Sequence, residues 1–152
     1  MHRYVPIGVV GIFLAGLTTY AALGQAKSGP KHPNLHHALN ELREANQELK
    51  GAAHDFGGHR VKATKDIHQA IDAIEDALRA AGDPYKGKIH RDANDYKKYK
   101  HHPHIHHALH DLHEAERELQ NANHNFGGKR EKALSEVNQA IHQLNLVLKH
   151  AK

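Results

Sequence analysis

The chain has no cysteine and no tryptophan, and only one methionine and three phenylalanines among its 152 residues. The absence of thiols excludes disulfides, thiolate metal sites and covalent c-type haem attachment. Serine is almost absent too, since Ser28 and Ser135 are the only two, which leaves no serine–histidine–acid arrangement. Phosphate-loop and dinucleotide signatures are missing, because the glycines of "FGGHR" follow a helical pattern and read as a turn. These absences point away from an enzyme. A strong charge bias is lacking as well: the formal net charge is +4 with histidines neutral. It would climb below about pH 6.5, where imidazole protonates.

Histidine is what the chain has in excess. Of its 18 histidines, 17 lie beyond residue 26, where average composition gives roughly three or four. Residues 1–26 read as an export signal. His2 and Arg3 form a short polar start, Val5 to Leu17 an apolar run, and "AALGQA" a small-residue cleavage region. The alternative is an uncleaved anchor, since Val5 to Leu23 nearly spans a bilayer. Both place the remainder outside the cytoplasm, in the periplasm or secreted, and confine membrane contact to this segment.

After a linker at 27–31 the chain is a duplication with an offset of 70. Residues 32–82 and 102–152 align without gaps and share 24 of 51 positions. A repeat of this length marks one supersecondary unit used twice. In the first unit Leu35, Ala38, Leu39, Leu42, Ala45, Leu49, Ala52 and Phe56 recur every three or four residues, as on one face of a helix. Gly57 and Gly58 then suit a left-handed ending and a reversal. A second stripe runs through Thr64, Ile67, Ile71, Ile74, Leu78 and Ala81. One hairpin cannot enclose its own stripes, so two tandem αα-hairpins forming an antiparallel four-helix bundle are expected, in an all-α fold. Between the units, residues 83–101 form a basic, tyrosine-rich linker. No nucleic-acid motif accompanies Tyr85, Tyr96 and Tyr99, so nucleic acid is not an expected partner.

With Leu35 at heptad position a, His36, His37 and His54 fall outside the apolar seam, as do His106, His107 and His124. Interior haem ligation is therefore not expected, because axial ligands must project inward. Only His68 borders a stripe, and its repeat counterpart is Asn138. Outward imidazoles can still chelate. His106, His110 and His113 follow one strip of helix, and an i, i+4 pair can hold one ion. A hairpin turning near Gly127 sets His142 level with His113, which predicts a cross-helix site from His110, His113 and His142. His107, Asp111 and Glu114 form a neighbouring strip. A further cluster is expected if the two unit entrances pack together, joining His32, His36 and His37 to His102, His106 and His107. His54 and His124 mark the turn ends, where a cationic ring would also suit a helix C-terminus. Imidazole with some carboxylate favours Cu(II), Ni(II) or Zn(II) over calcium or magnesium. Glu44 and Glu48 read as solubility charges on exposed faces.

The pattern "HPxxHHAL…EL…AxHDFGGHR…AI" resembles that of short exported bacterial His-rich helical-hairpin repeat proteins and covers nearly all of residues 32–151. In architecture and composition, the chain is more loosely similar to small periplasmic His-rich metal-binding helical bundles. That resemblance implies labile sites for divalent copper, nickel or zinc, and scavenging or storage. The competing expectation is a non-enzymatic structural or interaction module of the cell envelope, responsive to pH, with a homodimer or an envelope protein as partner.

Overall fold

The computed structural model describes residues 30–85, 87 and 101–150. Residues 1–26, the expected export segment, and most of the expected basic linker, with Tyr96 and Tyr99, lie outside the described residues. Four helices follow one another: α1 (Pro33–Gly51), α2 (His59–Ala80), α3 (Pro103–Asn121) and α4 (Lys129–His150). α1 packs on α2 and α3, and α4 packs on the same two, so α1 and α4 stand diagonally across the bundle. The more extensive contacts run between the units, α1 against α3 and α2 against α4. Among the described residues, no helix is long and apolar enough to cross a membrane.

Both inter-unit pairs are antiparallel, and a pseudo-twofold relates them. Asn34 Nδ2 donates to Glu118 Oε2 at 3.0 Å, and the repeat-equivalent contact joins His104 Nδ1 to Glu48 Oε2 at 2.7 Å. The start of α1 therefore lies beside the end of α3, and the reverse. Gly51 permits that approach, since a Cβ there would come within 3.1 Å of the His104 ring.

The core follows the predicted seam of α1 and α3: Leu35, Leu42, Leu49, Ile105, Leu112 and Leu119 are fully buried. Each such side chain contributes about 2 kcal/mol by leaving water. In the other two helices the predicted stripe is buried at Ile67, Ile74, Leu78, Val137, Ile141 and Leu144, and a row of smaller residues beside it is buried as well. Ala63, Ala70, Ala77 and their equivalents Ala133, Ala140 and Val147 are buried, whereas Thr64, Ile71 and Leu148 are only partly covered. A small residue every seventh position lets α2 and α4 approach closely, as interaxial distance depends on contact side-chain size.

The turns also depart from expectation. α1 stops at Gly51 and α3 at Asn121, five residues before the phenylalanine, with Ala52 and Ala122 extended. Phe56 (φ 52°), Gly57 (67°) and Gly58 (84°) are then left-handed in succession, and Phe126 to Gly128 repeat this. Only glycine takes this conformation without steric cost, so the phenylalanines must be held there by packing. The early stop has a visible partner. Arg60 Nη1 donates to the carbonyl of Leu49 at 2.9 Å, and Arg130 Nη1 to that of Ala122 at 2.9 Å. Each arginine satisfies an orphan carbonyl near a helix C-terminus and places its charge at the negative end of the dipole. Replacing Arg60 with alanine should cost about 2 kcal/mol, the range for a charge-assisted hydrogen bond. Urea denaturation checks this, with Arg130→Ala expected to match it.

Candidate functional site

The antiparallel docking decides which histidines meet. Each unit entrance faces the FGG turn of the other unit, so the two entrances lie at opposite ends and do not form the joint cluster that same-end packing would give. At one end the His32 ring lies edge-on to Phe126, with centroids 4.9 Å apart, and 5.9 Å from the His124 ring. His124 itself lies against Phe126 at 5.8 Å. At the other end His102 and His54 flank Phe56 at 5.1 and 5.8 Å. The phenylalanine held left-handed in each turn is thus the anchor around which one imidazole from each unit gathers. A pocket of about 140 Å³ opens between Lys31, His32, Asn34, Asn123, His124 and Phe126.

Not every histidine outside the seam is solvated. The His36 side chain is only 14% exposed, its Nε2 3.1 Å from Asp83 Oδ2 and its ring stacked on Tyr85 at 5.6 Å. Tyr85 also donates to Asn40 Oδ1 and lies beneath the Arg43 guanidinium, so this linker tyrosine packs on α1. Asp83 additionally accepts from the His32 backbone N–H at 3.0 Å, supplying a carboxylate to the start of α1. Burial pushes the Asp83 carboxyl up, but the backbone bonds from His32 and Lys31 and the His36 contact hold it below its ordinary value. His106 and His107 are half-buried rather than outward. Burial first, then the neighbouring His102 and His107 charges, lowers the His106 pKa below its usual range.

Of the strip expected on α3, His106 is half-buried, and His110 and His113 lie on the surface. His110 and His113 are 62% and 58% exposed, each beside a carboxylate of its own helix, Asp111 and Glu116. His142 on α4 and His37 on α1 are exposed, as is His68, which is not a core residue. Among the described residues, the one group of three or more imidazoles or carboxylates with ligand atoms within 4.8 Å of each other is Glu41, Glu44 and Asp111. His110, His113 and His142 are not gathered to that spacing.

Those carboxylates lie on the seam between α1 and α3, together with Glu48, which is buried at 5% exposure. Glu44 and Glu48 are therefore not the exposed solubility charges their spacing suggested; antiparallel docking turns their helix edge toward α3. Burial, and then the Glu44, Glu114 and Glu118 charges, push the Glu41 carboxyl up to about 7, with Arg117 opposing. The sign follows from linkage. Between about pH 4.5 and 7 the unfolded chain releases a proton that folded Glu41 retains, so stability falls as pH rises. Glu41→Gln should raise the melting temperature at pH 8 by roughly 3 °C, about 1 kcal/mol for this size, and leave it nearly unchanged at pH 5. Calorimetry at the two pH values checks it.

Sequence reading missed Arg60 and Arg130, although both copies carry the arginine two residues after the glycine pair. It also passed over the pairing of His59 with His150, because their repeat equivalents are Lys129 and Ala80. The fold and these sites define an all-helical bundle with an imidazole-rich exterior. No family model matches the chain, and comparison with curated proteins and with solved structures likewise finds no match.

Proposed function

We propose that this protein binds divalent transition-metal ions, Cu(II), Ni(II) or Zn(II), through imidazoles on the outside of an exported bundle, for scavenging or storage. The supporting observation is the meeting of rings from different repeats, His32 with His124 at 5.9 Å around Phe126. Two imidazoles bound to one ion at about 2.0–2.1 Å would have centroids roughly 4.5–6.5 Å apart, depending on the angle between them. The ring separation lies within that interval, which supports a shared ion reached by rotation of the two side chains. His54 and His102, which both lie against Phe56, occupy the equivalent positions at the other end. Sites of two exposed rings completed by water exchange their ions readily, which suits uptake and release better than catalysis.

The alternative, an envelope interaction module that acid loosens through imidazole repulsion, has weaker support. Two of the less exposed rings face carboxylates, His36 with Asp83 and His104 with Glu48, so protonation there adds attraction between elements.

Isothermal titration of protein purified without a nickel column tests the proposal. More than one ion should bind per chain, and affinity should drop sharply from pH 7.5 to pH 6, because a coordinating imidazole must be neutral. Less than one equivalent at micromolar affinity refutes it.

A further inference from the structure

Antiparallel packing of α2 on α4 brings the first residue of one, His59, to the last residue of the other, His150. Their rings are parallel within 5°, with centroids 6.1 Å apart. We propose that His59 and His150 form a separate transition-metal site at this end of the bundle, oriented by Gln143. The site rests on the metal reading above and adds ligands to it.

Three observations carry it. The first is spacing. An imidazole bound through nitrogen at about 2.0–2.1 Å has its centroid roughly 3.2 Å from the ion, so two rings on opposite sides lie about 6.4 Å apart. The 6.1 Å separation is close to that value, and because the rings now stack, sharing an ion requires each ring to turn about its side-chain bonds until the two nitrogens face it. The second is the proton on His59. Its Nδ1 lies 2.8 Å from Gln143 Oε1. An amide oxygen only accepts, so Nδ1 is the donor, and the neutral ring carries its lone pair on Nε2. A ligating histidine usually donates its other N–H to an oxygen in this way, which fixes the tautomer and raises ligand basicity. The third is the helix. Gln143 and His150 are seven residues apart on α4 and so share a face. His150 also stands where the α4 carbonyls end, and a cation is favoured there. Two nitrogen donors with water in the remaining positions select Cu(II), Ni(II) or Zn(II) over calcium and magnesium.

The test titrates the full chain with Zn(II) and Cu(II), alongside His59→Ala, His150→Ala, Gln143→Leu and Gln143→Glu. Each histidine variant should bind one ion fewer and retain the others. Gln143→Leu should weaken that ion 10–100-fold, the usual cost of losing such a partner, while Gln143→Glu keeps or tightens it. Imidazole nitrogen NMR of the metal-free protein should show His59 protonated on Nδ1. Unchanged stoichiometry in both histidine variants overturns this site and leaves binding elsewhere intact. Protonation of metal-free His59 on Nε2 overturns it independently of how the variants fold. No ion bound by the unaltered chain removes both this site and the broader reading.

Discussion

The antiparallel docking of two similar hairpins is the constraint on which the rest of this structure depends. Neither hairpin can cover its own apolar stripes. The leucines of α1 therefore close against those of α3, and the alanine rows of α2 and α4 close against each other. This arrangement is driven by removal of aliphatic surface from water, a force with no directional preference. Direction comes from the polar contacts at the edges. Asn34 with Glu118 and His104 with Glu48 are equivalent contacts, made once in each half of the pseudo-twofold.

The same docking sets the chemistry of both ends. A turn from one unit meets the entrance of the other, so each end holds rings from both copies around a left-handed phenylalanine. It also draws a row of carboxylates into the α1–α3 seam, where burial, and then the neighbouring negative charges, raise the Glu41 pKa. A cluster of carboxylates thus lies along the α1–α3 seam, while imidazoles from both repeats meet at the two ends.

Much of this was legible from the residues. The 70-residue offset, the seam from Leu35 to Leu49 and the glycine pairs led to four antiparallel helices. The seam positions Leu35, Leu42, Leu112 and Leu119 are buried as the period requires. In α2 and α4 the seam residues Ile67, Ile74, Leu78, Val137 and Leu144 are buried too, but the alanine row beside them was not read from the sequence. Ala63, Ala70 and Ala77 are too small to stand out in a hydropathy pattern, yet they are fully buried. Helix ends failed as well, because Arg60 and Arg130 bind carbonyls earlier in the chain than the glycines where the turn was expected.

The residues alone determined the helices, the repeat, the exclusion of thiol chemistry and a surface crowded with imidazole, because period and composition are local properties. Tertiary structure decided which histidines are neighbours. Same-end and opposite-end packing of the two hairpins bury nearly the same aliphatic seam, so hydrophobic pattern cannot tell them apart. Side-chain contacts between α1 and α3, and between α2 and α4, separate the two arrangements. His32 therefore belongs with His124 rather than with the entrance cluster its sequence suggested, and His59 meets His150.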